Sequence, residues 1–288
     1  ALIKCINNKE KLSNRFLYYY LKSKIIQDKI ISLSARAAQA GVNPKHLEEF
    51  DLPLPSIEQQ NHIVEELDDY QKVIDGCRQV IENYKPSIDI DPSWEVVELR
   101  ELSNEIISGF SFDSNEFIKK KGTQVIKITN VGINKFEEKS EDYLPIDYSD
   151  KYKKFIVNEG DIVVALTRTI ISEGAKISIV PNSYHKSLLN QRVAAIRIND
   201  RELKKYVYIN LLSKNFYSYV ENKSNTLMQP NLSINDLKKY PIYLPTKDII
   251  KKIVEEFDSE IEIINANYTL LKNTQKKIND KINRIWSN

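Results

Sequence analysis

Cysteine, glycine and histidine are scarce in this chain, and each scarcity excludes a class of chemistry. The two cysteines, Cys5 and Cys77, stand far apart without companions, so neither a disulfide framework nor a cysteine-rich zinc site is supported, and a reducing cytoplasm fits. None of the seven glycines falls into G-x-G-x-x-G or the P-loop pattern, which leaves nucleotide hydrolysis unsupported. His46, His62 and His185 are scattered without metal-ligand spacing. Long apolar runs are missing too, and the opening ALIKCINNKEK has neither the apolar core nor the cleavage site of a signal peptide, so no membrane is expected. Nor does one sign of charge prevail: 42 Lys and Arg against 40 Asp and Glu leave a formal net charge of +2. That balance permits an anionic partner without announcing one. Because lysines and acids are interleaved along the chain, any positive face has to be made by folding.

What is present is an internal repeat. FDLPLP at 50–55 aligns without gaps on YPIYLP at 240–245, an offset of 190 residues. The match continues from IVEELD at 63–68 into IVEEFD at 253–258, and upstream it pairs Leu21 with Leu211, Gln39 with Gln229 and Leu47 with Leu237. The chain thus holds the end of one copy and a full second copy. It begins without Met, directly in an amphipathic segment, which points to a piece of something larger.

After each Pro anchor the apolar spacing changes to alternating steps of four and three, the heptad pattern of a helix that packs on another helix. In the first copy the seam is Ile63, Leu67, Tyr70, Ile74, Cys77, Ile81 and Tyr84, ended by Lys85-Pro86, because proline disfavours helix at the residue before it. In the second copy it is Ile250, Val254, Phe257, Ile261, Ile264, Tyr268, Leu271, Gln275, Ile278, Ile282 and Ile285. At about 1.5 Å per residue these rods extend roughly 43 and 55 Å. Gly76 either allows close helix approach or marks a slight bend, and Cys77 is a packed thiol on the seam. Acid pairs such as Glu65-Glu66 and Glu255-Glu256 lie on these helices, where a solvated face is expected.

SIDIDP at 87–92 is a Pro-bounded break. Beyond it, PSWEVVELRELSNEI opens a domain with Trp94, Val96, Val97 and Leu99 as core candidates. Strand signals follow at 124–131, 155–166, 175–180 and 191–198, with Gly122, Gly132, Gly160 and Gly174 at turns. Helix returns at 203–222, and a short helix around INDLKKY leads to the second anchor. The expected class is α+β: one mixed α/β domain flanked by two long helices that form an antiparallel coiled-coil spacer.

The anchor-and-helix segments DLPLPSIEQQNHIVEELD and YPIYLPTKDIIKKIVEEFD, the opening WEVVELRELSNEIISGFSF, and the stretches VNEGDIVVALTRTIISEGAK and LLNQRVAAIRI together resemble the specificity subunit of type I restriction-modification enzymes. The resemblance covers essentially the whole chain. It implies two target-recognition domains, each reading half of a split site in double-stranded DNA, held apart by helical spacers that dock DNA adenine methyltransferase (modification) subunits. On that pattern residues 1–50 are the tail of a first recognition domain, 51–88 the first spacer helix, 89–245 a complete second recognition domain and 246–288 the second spacer helix. Restriction subunits and self-association through the spacers are further partners it allows. Most of the first recognition domain is missing from the pattern, and TKDIIKK stands where the first copy has SIEQQNH.

Reading DNA needs cations and amides for phosphate and side chains that reach base edges. Arg168 leads the candidates, since its planar fork fits two guanine acceptors; it sits in a loop with Thr167, Thr169, Ser172, Glu173 and Lys176. Ser108, Gly109, Phe110 and Ser111 form a second loop. Lys127, Thr129 and Asn130 follow a strand, Asn190, Gln191 and Arg192 present amide and guanidinium groups, and Gln229 and Asn231 lie in a turn before the short helix. Lysines at 119–121 and 238–239 are phosphate candidates or a solvated surface. Ile63, Leu67, Tyr70, Ile74, Ile81, Ile250, Val254, Phe257, Ile261, Ile264 and Leu271 are assigned to the spacer and its partner interface. No catalytic, metal or cofactor residue is expected: the one Asn-Pro, Asn43-Pro44, precedes Lys45 rather than completing a methyltransferase Asn-Pro-Pro-aromatic run. Two alternatives stay open, the recognition region of a fused restriction-methylation enzyme and a coiled-coil interaction module that binds no DNA.

Overall fold

The computed structural model describes residues 10–34, 50–119, 121–138, 142–171, 174–223 and 231–286. The described residues form two units, one comprising those up to Tyr84 together with those from Glu262 onward, the other Lys85–Ile261.

The first unit is helical. Helices α1 (Asn14–Lys22) and α2 (Lys24–Ser34) are separated by a break at Ser23. The long α3 (Ile57–Asn83) starts with a capping box, in which Ser56 Oγ accepts from the Gln59 N–H and the Gln59 side chain accepts from the Ser56 N–H. These bonds satisfy donors that a helix N-terminus otherwise leaves orphaned. The helix stops at Asn83, two residues before Lys85-Pro86. Gln60 is buried and ties the entrance of α1 to the anchor: it accepts from the Ser13 N–H and donates to the Lys11 and Pro55 carbonyls. The seam of α3 turns inward: Leu67, Ile74 and Cys77 are buried, and Ile63, Tyr70 and Ile81 half-buried.

The second unit contains, in chain order, β1 (Glu95–Glu98), β2 (Glu105–Ser108), β3 (Thr123–Ile126), β4 (Tyr143–Leu144), β5 (Ile156–Val157), β6 (Ile162–Ala165), β7 (Ile170–Ile171), β8 (Gly174–Ala175), β9 (Ile177–Ile179), β10 (Ser187–Leu189) and β11 (Val193–Arg197). Helices α4 (Arg201–Leu212), α5 (Lys214–Lys223) and α6 (Ile234–Lys238) follow, then β12 (Pro241–Leu244) and the 40-residue α7 (Lys247–Trp286), of which the residues up to Ile261 belong to this unit and the rest to the first. At about 1.5 Å per residue α7 extends about 60 Å. Two four-stranded sheets, ordered β2-β11-β6-β9 and β4-β3-β10-β5, carry the domain. Strands β6 and β11 are buried along most of both faces, which explains their unbroken apolar runs. One core joins Ile162, Val164, Ala194 and Ile196 to Tyr206, Ile209 and Leu237, and the opposite face packs Val163, Ala165, Val193 and Ala195 against Ile126, Val157 and Leu189.

Several expected elements differ. The strand expected over 124–131 stops at Ile126 and turns into a 3₁₀ segment, Ile128–Asn130. The run at 155–166 is two strands, broken at Gly160, whose φ of +80° suits glycine. The second Pro anchor is itself a strand, β12, paired antiparallel with β1.

The helices repeat as well as the anchors. Ser23 and Ser213, 190 positions apart, both end a helix in extended conformation and both are buried. Arg15 on α1 pairs with Asp68 on α3 at 2.7 Å, and their counterparts Lys205 and Asp258 pair at 2.5 Å.

The first part of α7 is not a free seam. Ile250, Val254 and Phe257 belong to the core of the second unit, with Ile261 packed against it. This corrects their assignment to the spacer interface: the apolar face of α4 and α6 needs a cover, and the first turns of α7 supply it. Farther along, Ile264 and Leu271 are half-buried while Tyr268 is 54% exposed, so the seam passes through half-buried Asn267 instead. Within the first unit α7 runs antiparallel to α3. Lys281 pairs with Glu66 at 2.6 Å, Ile282 shares a core with Leu67 and Tyr19, and Ile285 lies in a groove with His62 and Ile63. A Cβ added at Gly76 would meet nothing within 4 Å, so that glycine does not mark a close approach.

Candidate nucleic-acid interface

Sheet register decides which candidates meet. Strand β11 lies between β2 and β6, with Ala194 opposite Ser108 and Val193 opposite Ala165, and Val164 in turn opposes Ile177. The end of β2, the start of β11, the end of β6 and the start of β9 therefore fall at one end of the sheet. Segments 108–110, 190–192, 166–169 and residue 176 all emerge there. In the other sheet β10 runs parallel to β3, Leu189 opposite Ile126, so Asn190 and Lys127 leave together.

Backbone hydrogen bonds stitch these ends into one rim. Asn190 N–H donates to the Ile126 carbonyl, Phe110 N–H to Leu189, Gln191 N–H to Phe110, Gly109 N–H to Val193 and Leu166 N–H to Arg192, all within 3.1 Å. A Cβ on Gly109 would stand 2.0 Å from the Asn190 carbonyl oxygen, so only glycine lets the two backbones approach this closely.

The candidate side chains on the rim divide into two groups. Ser108, Thr129, Arg168, Gln191 and Arg192 are exposed, and Thr167, Lys176 and Asn190 half-buried. Others are built into the scaffold. Asn130 is buried: its Oδ1 accepts from the Lys127 N–H and its Nδ2 donates to the Glu137 carbonyl. Lys127 itself pairs with Asp142 at 3.0 Å and lies 3.9 Å from the centre of the Phe117 ring. Phe110 joins a ring cluster with Phe112, Tyr152 and Phe155. Thr169 is fully buried, and its hydroxyl has no partner among the described residues. Ser172, Glu173 and Gln229 lie outside the described residues.

Asn231 has a different position from that of a free contact. Its Oδ1 accepts from the Arg168 backbone N–H at 3.0 Å, and Leu232 N–H donates to the Leu166 carbonyl at 2.9 Å. On the other side of the turn, Lys176 N–H donates to the Thr169 carbonyl. Between these ties Arg168 has a φ of +48°, a left-handed conformation that costs a non-glycine residue about 1–3 kcal/mol and persists where the surroundings over-determine it. Burial, with Arg168 adding to it, holds the Lys176 ammonium below its ordinary pKa.

The two ends of the sheet differ in charge. At the far end Arg197 is consumed by structure: it pairs with Asp161 at 2.8 Å and with Glu105, and donates to the Ile156 carbonyl. At the rim neither Arg168 nor Arg192 has an acidic partner among the described residues. Asn134 and Lys135 also reach the rim, in a turn whose Asn134 N–H donates to the Ile177 carbonyl while the Tyr208 hydroxyl donates to Asn134 Oδ1. In the sequence only Gly132 marks that turn.

No group of three or more His, Cys, Asp or Glu among the described residues is placed to hold a metal ion, and no helix there is long and apolar enough to cross a membrane. The second unit is thus a β scaffold whose rim presents guanidinium and amide groups, the two arginines without an acidic partner among the described residues. The chain belongs to the family of type I restriction modification DNA specificity domains, whose sequence model matches residues 2–83 and again residues 92–281. It is therefore a DNA-specificity component and not a catalyst. It is similar to the MjaVIII specificity subunit of Methanocaldococcus jannaschii, 28% identical over 96% of this chain and 71% of that one. Similarity to the EcoKI specificity subunit of Escherichia coli K12 is 19% over 94% and 62% of the respective chains. A solved chain from work on complex assembly and conformational transition of the type I R-M system shares the fold, with a TM-score of 0.58 and 15% identity over 96% of this chain and 72% of that chain. Specificity subunits of type I systems bind DNA and work with methyltransferase and restriction subunits.

Proposed function

We propose that the rim is the DNA-reading surface, with Arg168 and Arg192 as the principal base or phosphate contacts, Gln191 and Asn190 as amide contacts, and Ser108, Thr129, Thr167 and Lys176 beside them. The observation that carries this reading is the pair of exposed arginines, without an acidic partner among the described residues, on a turn and strand end held by hydrogen bonds. Holding a side chain in place before binding lowers the ordering cost of recognition. A guanidinium that bonds guanine O6 and N7 together contributes about 1–3 kcal/mol of discrimination. On this reading residues 89–245 act as one recognition domain for one half of a split site. Lys119–Lys121, of which Lys120 lies outside the described residues, and Lys238–Lys239 stay secondary phosphate candidates.

The methyltransferase subunit is assigned to the first unit, at the groove of about 800 Å³ lined by Pro53, Leu54, Pro55, His62, Ile63 and Ile285. Leu54 is 56% exposed there, an apolar side chain suited to a partner surface. Ile263, Tyr268 and Leu270 are exposed on α7 and are the residues through which the helix would associate with a second copy. Restriction subunits complete the set of partners.

Methylome mapping of cells carrying the natural gene, a deletion, and Arg168→Lys with the cognate methyltransferase tests the assignment. The expected result is a methylated motif that disappears on deletion and relaxes at one base with Arg168→Lys, which keeps the charge and loses the fork. An unchanged methylation pattern in an active system refutes it.

A further inference from the structure

Beside the rim lies a second surface that no motif in the sequence marks. The segment from Tyr148 to Phe155 runs into β5, where Ile156 stands opposite Leu188 and Val157 opposite Ser187. This antiparallel pairing brings Phe155 to the end of β10 at which Asn190 emerges. Its rings form a pad against the rim: Phe110 lies 4.9 Å from Tyr152 and 5.1 Å from Phe155, centre to centre, and Tyr148 lies 5.2 Å from Tyr152.

The lysines described in this part of the molecule are not equivalent. Lys127 is engaged by Asp142 and Lys153 by Asp150. Lys151 and Lys154 are exposed and form no salt bridge among the described residues, although the Glu116 carboxylate is near enough to Lys151 for its pKa to be lowered by that charge. Lys151 lies 5.1 and 5.2 Å from the centres of the Tyr148 and Tyr152 rings, and Lys154 lies 5.0 Å from that of Phe155. Glu116, whose carboxylate accepts from the Asp113 N–H and the Tyr148 hydroxyl, is held below its ordinary pKa by those bonds and, to a smaller extent, by the charge of Lys151. An ammonium seated on a ring has part of its freedom already restricted, yet its donors still face solvent. It can therefore bond an anion at a smaller entropic cost than a free lysine.

We propose that Lys151 and Lys154, seated on the Tyr148, Tyr152 and Phe155 rings, form a phosphate-gripping flank that holds the DNA backbone beside the reading rim. This rests on the rim being the DNA-facing surface. The ligand chemistry is the phosphodiester backbone, without regard to sequence, so the flank sets affinity and orientation while the rim sets the motif.

The test uses the chain assembled with its methyltransferase subunits and a mixed-sequence DNA duplex, with Lys151→Gln/Lys154→Gln compared with the natural chain. Each phosphate contact contributes about 0.9 to the slope of log binding constant against log salt concentration, so losing two contacts should make the slope shallower by about 1.8. The methylated motif in cells should stay the same. An unchanged slope overturns the proposal, and so does an altered motif, which would make these lysines base readers. Arg168→Lys in the same assay separates this from the rim: it should change the motif with little change in slope. If it leaves the motif intact while the lysine variant still lowers the slope, the assignment of Arg168 as a base reader fails, while the DNA-facing rim and its flank stand.

Discussion

Lys205 on α4 reaches Asp258 on α7 at 2.5 Å, and 190 residues earlier Arg15 reaches Asp68 at 2.7 Å in the same geometry. The ion pair straps a short helix to the long helix that follows each Pro anchor. In the first copy Tyr19 adds a hydroxyl donor to Asp68. The Arg15 hydrogen bond, with that of Tyr19, holds the Asp68 carboxyl below its ordinary value of 3.8.

Because its folded pKa is depressed, Asp68 contributes stability that is present above 3.8 and is lost as pH falls through the folded value. Arg15 is 54% exposed, so the contribution is small, about 0.5–1 kcal/mol. Denaturant titrations at neutral and acid pH should show Asp68→Asn less stable by that amount at neutral pH, with the difference vanishing in acid. An equal difference at both pH values would contradict the linkage.

Gly109→Ala places a methyl group against backbone, 2.0 Å from the Asn190 carbonyl oxygen and 2.3 Å from its carbon. Neither atom belongs to a flexible side chain, so the stitch between β2 and the 190–192 turn must open. The expected loss is about 1–3 kcal/mol or more, measured by chemical denaturation. Site-specific methylation should fall with it.

Asn231→Ala removes the acceptor that holds the Arg168 N–H without touching the guanidinium. If Asn231 acts by positioning Arg168, discrimination between target and single-mismatch duplexes should drop by about 1–3 kcal/mol. The same substitution should have no further effect in an Arg168→Ala background, so the coupling equals the whole single effect, about 1–3 kcal/mol. Additive losses would make Asn231 an independent contact.

Leu67 is fully buried between Tyr19 and Ile282, so Leu67→Ala should destabilise the helical unit by about 2–5 kcal/mol. Limited proteolysis should then cleave α3 and the end of α7 first. The core built on Ile162, Val164 and Ile196 is a separate cluster and should stay protected. Simultaneous loss of both would show that the two units do not melt independently.

The long helices were legible in the sequence because heptad spacing is a local property, visible in Leu67, Ile74 and Ile81. Periodicity names the face that must be covered, not what covers it, so Ile250, Val254 and Phe257 continue the same pattern while packing into the β domain. For the same reason Tyr268 fits the spacing yet faces solvent, since a seam drifts around a helix over many turns.

Polar candidates were harder to sort, because one residue type serves both scaffold and surface. Nothing near Asn130 in sequence reveals that its amide is spent on Lys127 and Glu137, and Lys151 and Lys154 carry no motif at all. Asn231 lies 63 residues from the arginine that it holds.

By itself the sequence determined the two-copy architecture, the helical spacers, the lack of a catalytic or metal motif and the family resemblance. All of these follow from order and spacing along the chain. Only the tertiary structure decided which polar groups share the rim and which cations pair, with Arg197 consumed at one end of the sheet and Arg168 and Arg192, at the other, without an acidic partner among the described residues. Those outcomes depend on strand register and on contacts between residues far apart in the chain, which local pattern does not encode.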